Sequence, residues 1–300
     1  MGDITIKWAG TNVEGTGAGG LGSRSLQTFD FGGFDWAAEV ADTVWGGKVY
    51  GSSLAPDVRR VMFWLHCEPP SNTMVNMLRW ANDEVASLSS TFSPSIGVTT
   101  LEVERYNYAG TLVERYVQGA IKRSMGWTYV SQGGDRTPGI RPRGYIRWPV
   151  EVECIYPWFV DMSTYSTTAM TTGGGPYTIT NGGDIWTGWR LEVTGSTGTP
   201  LGCVITNATT GYSIDLRWTA GPTSGDWVDY FYPSSAWTPV GFRSGASGAA
   251  PSNRVALLPG PAFTDGRLAK GNNSITVALP TGGTGSLSFN FIVRRRWETI

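Results

Sequence analysis

Reactive side chains are scarce in this 300-residue chain: one histidine, three cysteines, and charged residues at only 16%. A single histidine, His66, is the sole imidazole for any Ser–His–Asp arrangement, and it lies in the apolar run VMFWLHCE beside Cys67. Neighbours on a strand point apart, so these two cannot act together, and His66 reads as a satisfied core or interface residue. One histidine and scattered cysteines do not make a four-ligand zinc site. Cys67, Cys154 and Cys203 are odd in number and far apart, which argues against a disulfide framework and suits a reducing cytoplasm. No apolar run approaches the ~20 residues of a membrane helix. MGDITIKW lacks the basic-then-apolar order of a signal peptide, and Ile6 stands where a myristoylation motif wants Ser or Thr. A net charge of −1 gives no bulk field towards nucleic acid or acidic lipid.

What is abundant is Gly (41) and Trp (14), the composition of a turn-rich β protein. The length exceeds one compact β core of usual size, so two domains are expected. GTNVEGTGAGGLGSRS (10–25) reads as a flexible loop; no strand-to-helix context or GKS follows it, so it is no phosphate cradle. VRRVMFWLHCE (58–68) reads as a strand buried on both faces. After Pro69 and Pro70, Ser71, Asn72 or Thr73 caps a helix whose stripe is Met74, Leu78, Ala81, Val85 and Leu88. TTLEVERYNYAGTLVERYVQGAIKRS (99–124) reads as a hairpin turning near NYAG, with Glu102, Glu104 and Glu114 on its wet face. Lys122, Arg123, Arg136, Arg141, Arg143 and Arg147 form a basic cluster around a Gly/Pro-bearing loop, read as solvated or as a dock for an acidic partner.

WPVEVECIYPWFVD (148–161) sets Val150, Val152, Cys154 and Tyr156 on one face and Glu151, Glu153 and Ile155 on the other. Pro157 ends that ladder, Trp158 and Phe159 follow, and MSTYSTTAMTTGGGP then reads as loose chain. Beyond Tyr177, short alternating runs between turns predict an antiparallel β-sandwich, closing with Leu287, Phe289, Phe291 and Val293 on one face. The fold class is therefore mainly β with a single helix.

Chemistry in the second half is thin. Asp226 and Asp229 are the nearest carboxylate pair, but three residues apart on a strand they face opposite sides. Trp186, Trp189, Trp218, Trp227, Trp237 and Tyr232 suit either a core or a sugar-binding face. Trp218 reads as buried, while Trp237 and Tyr232 are the candidate glycan contacts of an alternative carbohydrate-binding reading. Arg294, Arg295 and Arg296 are shared between two faces and form no stripe for nucleic acid.

Several passages resemble the distal tail proteins of long, flexible-tailed bacteriophages. They are NGGDIWTGWRLEVTG (181–195), VITNATTGYSIDL (204–216), LLPGPAFTDGRLAKGNNSITVAL (257–279), FNFIVRRRW (289–297) and FSPSIGVTTLEVERYNYAGTLVERYVQG (92–119). CIYPWFVD is similar to that family's proline–aromatic corner, although Tyr156 stands where an acidic residue is common. The resemblance implies a tail-tube-like sandwich or split barrel over 1–161 that forms a ring, a linker over 162–175, and a galectin-like jelly-roll sandwich over 176–300. Pro157, Trp158 and Phe159 would mark the junction, and Glu102, Glu104 and Glu114 would face the lumen. It also implies a structural, non-enzymatic role without cofactor or metal, in a ring of six copies at the virion's tail tip, assembled in the host cytoplasm. The implied partners are the tail tube protein, the hub or tail-associated protein, the tape measure protein and receptor-binding proteins, with DNA only passing through and no membrane anchor.

Overall fold

The computed structural model describes residues 4–17, 20, 22–30, 34–37, 40–42, 48–50, 55–70, 74–107, 109–124, 128–132, 143–154, 158–162, 166–232, 242–252, 255–258 and 266–297. Antiparallel sheets, one α-helix and a short 3-10 helix, Pro94–Ile96, make up the regular structure among them. The chain divides into two compact units, Met1–Pro157 with Thr299–Ile300, and Trp158–Glu298.

In the first unit an antiparallel sheet runs through Thr11–Asn12, Ile4–Trp8, Thr99–Tyr106, Leu112–Ser124, Arg143–Cys154, Ala55–Glu68, Ser23–Asp30 and Gly15–Thr16. Thr128–Gln132 adds to Arg143–Cys154 and Phe34–Ala37 to Ala55–Glu68. Among the described residues the path has two ends and does not close into a barrel. The alternation expected of 148–154 is present: Trp148, Val150, Val152 and Cys154 are buried, while Glu151 and Glu153 are half-buried. Ala55–Glu68 corrects its expectation. Arg59, Val61, Phe63, Leu65 and Cys67 are buried, whereas Met62, Trp64 and His66 are only half-covered.

The glycine-rich 10–25 segment is also a correction, since it contains two short strands and the start of Ser23–Asp30 rather than one loop. Gly22 has a φ of 73°, and a Cβ there would stand 2.3 Å from the Glu68 carbonyl oxygen and 2.8 Å from Trp80 Nε1. The glycine permits close backbone approach as well as a turn. The helix Met74–Thr91 buries Trp80, Ala81, Glu84 and Leu88 and leaves Val85 half-exposed. Glu84 is buried because Arg24 pairs with it, Nη2 lying 3.2 Å from one carboxylate oxygen and 2.9 Å from Ser87 Oγ. A paired charge replaces an apolar knob on that face. Ser71, Asn72 and Thr73, the proposed caps, lie outside the described residues.

The second unit holds two five-stranded antiparallel sheets. One is ordered Ser166–Thr171, Thr284–Val293, Trp189–Thr199, Trp227–Tyr230, Phe242–Gly245; the other Tyr177–Asn181, Gly271–Ala278, Gly202–Asn207, Tyr212–Trp218, Val255–Leu258. Their shared core contains Leu287, Phe289, Phe291 and Val293 as expected, packed with Trp189, Leu191, Ile205, Ile214, Leu216 and Tyr230. Trp189 stacks on Tyr230 at 5.2 Å and donates its indole N–H to the Gly266 carbonyl at 2.9 Å, so the large ring is buried with its polar atom satisfied. Trp218 is buried too.

Two boundary expectations change. Residues 166–171, read as linker, pair with Thr284–Val293 from Ser166 opposite Val293 to Thr171 opposite Ser288, and Met170 enters the core. Trp158 and Phe159 are buried and fall in the second unit. Phe159–Asp161 pairs with Arg296–Trp297, and Asp161 accepts the Trp297 indole N–H at 2.9 Å and bridges Arg295 at 3.3 Å. Pro157 lies outside the described residues.

Candidate functional site

The hairpin of the first unit is built by its register. Thr99–Tyr106 and Leu112–Ser124 pair without a shift from Thr99 opposite Gly119 to Tyr106 opposite Leu112. Asn107 holds the turn, its Oδ1 accepting the backbone N–H groups of Ala109 at 3.0 Å and Thr111 at 2.9 Å, with Gly110 at φ 75°. Leu101 and Val103 are buried, which leaves the even-numbered face outward.

On that outward face Glu104 lies directly opposite Glu114, and Glu102 lies opposite Tyr116. Like charges directly opposite destabilise a strand pair. The neighbouring strand supplies the compensation: Lys7 stands opposite Glu102 and its ammonium pairs with Glu104. The hydrogen bond to Glu104, with the charges of Glu104, Glu102 and Glu114, raises the Lys7 pKa above its ordinary value against the cost of desolvation. All three sequence-identified carboxylates therefore share one surface. Lys7 was missed because its partner is 97 residues away in sequence. Two further members were also missed, Tyr106 at 57% exposure and Leu112 at 43%. Both continue the even-face alternation of their strands, and that was the available signal.

Two members of the basic cluster have described side chains, and each is engaged locally. Lys122 pairs with Glu153, and Arg147 lies over the Trp64 ring at 5.9 Å. Arg136 and Arg141 lie outside the described residues. His66 is half-buried, with Nε2 3.1 Å from Glu68 and its ring 4.3 Å from Tyr145.

In the second unit the two aspartates are engaged separately. Asp226 accepts the Thr223 backbone N–H at 2.8 Å and its hydroxyl at 2.9 Å. Asp229 is buried and accepts Arg190 at 2.6 and 2.9 Å and Arg243 at 2.8 Å. Burial works against the Arg190 charge, but the hydrogen bond and charge of Asp229 outweigh it and raise its pKa.

Three of the aromatic rings that suggested sugar binding, Trp186, Trp227 and Tyr232, lie under guanidinium groups. Tyr232, one of the two candidate glycan contacts, is 3% exposed, with Arg190 at 4.9 Å and Arg294 at 5.7 Å from its ring centre. Cation–π contacts occupy this ring. Trp186 carries Arg267 at 3.9 Å and Arg296 at 4.3 Å, and Trp227 carries Arg190 at 5.0 Å. Arg294, Arg295 and Arg296 are thus tied into the unit one by one. Trp237 lies outside the described residues.

No ligand-bearing cluster of His, Cys, Asp and Glu suited to a metal occurs among the described residues. No helix there is long and apolar enough to cross a membrane.

No protein-family model matches the chain, and no curated protein matches it significantly. Among solved structures it is similar to the SPP1 Dit (gp 19.1) protein, described as a paradigm of hub adsorption apparatus in Gram-positive infecting phages. The superposition has a TM-score of 0.58 at 11% identity and covers 98% of this chain and 99% of that one. At that identity the two chains share a fold, from one end to the other.

Proposed function

We propose that this protein is a structural component of a bacteriophage tail tip, working through surfaces rather than reactive groups. The observation that carries the reading is the fold likeness to SPP1 Dit over both units, at a TM-score of 0.58. In this reading the first unit assembles with copies of itself into a ring of six that continues the tail tube. The second unit, a galectin-like sandwich, projects outward. The ring joins the tube protein to the hub, tape measure and receptor-binding proteins and resides in the virion. Glu102, Glu104 and Glu114 face the channel, where clustered negative charge keeps passing DNA from adhering, because phosphate contacts add up steeply.

The test is the mass and shape of the purified protein, by light scattering and negative-stain imaging. The expected result is a closed ring of six copies, alone or on adding the tube or hub protein. A monomer under every one of those conditions would overturn the reading.

A further inference from the structure

The outward face of the hairpin has an apolar end that charge repulsion towards DNA does not explain. Tyr106 and Leu112 are directly opposite in register, so their side chains share a face and form one patch rather than two isolated exposures. At the other end the face is closed by the fold, since Tyr116, opposite Glu102, is buried. Glu104 and Glu114 lie between these ends and Glu102 at the closed one, with the Lys7 ammonium paired to Glu104. An aromatic and an aliphatic side chain at the open end of an acidic strip have the composition of a recognition surface: an anchor beside a charged rim.

We propose that this face docks a cationic protein segment, rich in lysine or arginine, that lays one apolar side chain against the Tyr106–Leu112 pair. Charge complementarity selects the occupant. Three carboxylates against one ammonium leave the strip acidic, so a basic segment is attracted and an acidic one or a nucleic acid is repelled. The proposal names the partner chemistry of the same face and rests on the channel reading only for where the partner sits, not for its charge.

The test uses the full chain and a fluorescent lysine-rich peptide bearing one leucine, with a glutamate-rich peptide as control. Anisotropy should show binding of the lysine peptide alone, weakening as salt rises because the Debye length shrinks from about 10 Å at 0.1 M to about 3 Å at 1 M. Tyr106→Thr with Leu112→Thr preserves strand propensity at two exposed sites and should weaken binding about tenfold, the equivalent of about 1.4 kcal/mol. Glu114→Lys, at an exposed position, should weaken it as much and flatten the salt dependence. Absence of binding, or binding indifferent to both changes, overturns the proposal. So does an unaltered affinity accompanied by loss of the assembled mass, which would assign the face to contacts between copies. Light scattering on the same samples keeps failure of the ring distinct from failure of the docking.

Discussion

At the scale of single residues the molecule uses its few ionisable groups as fasteners. Asp229 is the clearest: a buried carboxylate gripped by Arg190 and Arg243, with Arg190 itself stacked on Trp227 and Tyr232. Asp229→Ala leaves two guanidinium groups facing each other without their shared anion. Breaking such a buried pair costs about 3–5 kcal/mol. A urea titration should show that loss in the unfolding of the second unit with the first unchanged; a loss below about 1 kcal/mol would mean the cluster is solvated. The thiols make a second case. Burial, then the charge and hydrogen bond of Glu84, push Cys67 up to about 12; burial, partly opposed by Arg59, pushes Cys154 to about 12; burial raises Cys203 as well. An unfolded thiol has the ordinary value of 9.0. Above that pH the unfolded chain has lost protons that the native thiols keep. Stability tied to these groups is therefore full below pH 9 and falls as pH rises towards 12. Each thiol contributes a slope of roughly 1.4 kcal/mol per pH unit. Cys154→Ala should remove about half of the thiol slope in the first unit's transition, where Cys67 supplies the rest, measured from urea midpoints between about pH 9 and 11. Thiol reagent at pH 8 should label the denatured chain and spare the native one; labelling of native protein would contradict this burial.

At the scale of elements, legibility depended on whether a segment's pattern is local. Thr284–Val293 could be read because Leu287, Phe289, Phe291 and Val293 alternate with polar residues and sit in the middle of a sheet. Ser166–Thr171 could not, because an edge strand with Met170 as its one buried side chain resembles a Ser/Thr linker. The helix face was read one residue off, at Val85, since nothing local announces that Arg24 makes Glu84 the better core residue. Gly22 was read as freedom where the fold uses it for contact. Of the candidate surface, the three glutamates were visible from alternation, whereas Lys7 depended on which strand lies beside the hairpin. The edge strand yields a direct prediction. A fragment of residues 158–298 should unfold cooperatively. A fragment beginning at 176 loses six residues of pairing along Thr284–Val293 and about 2–3 kcal/mol from Met170 alone. It should bind an apolar dye and melt over a broad range. Equal cooperativity of the two fragments would show that Ser166–Thr171 is dispensable.

At the scale of the whole molecule, the proposed ring would multiply whatever each subunit presents to its channel. A single surface carboxylate matters little, yet the face bearing Glu102, Glu104 and Glu114 would recur at every subunit and surround a duplex on all sides. Converting all three to lysine reverses their charge and leaves Lys7 without its Glu104 partner, turning a repelling collar into a gripping one. Each phosphate neutralised steepens the fall of log affinity with log salt by about 0.9, so even a few contacts per subunit produce strong, salt-sensitive binding. The wild-type assembly should show no shift of a short duplex in a gel at about 0.1 M salt, whereas the triple variant should retain it and release it as salt rises. In a virion the same variant should assemble but deliver its genome slowly. Duplex retention by the wild-type protein, or a triple variant that neither holds DNA nor slows delivery, would place these carboxylates away from the channel and leave the hairpin face to protein contacts alone.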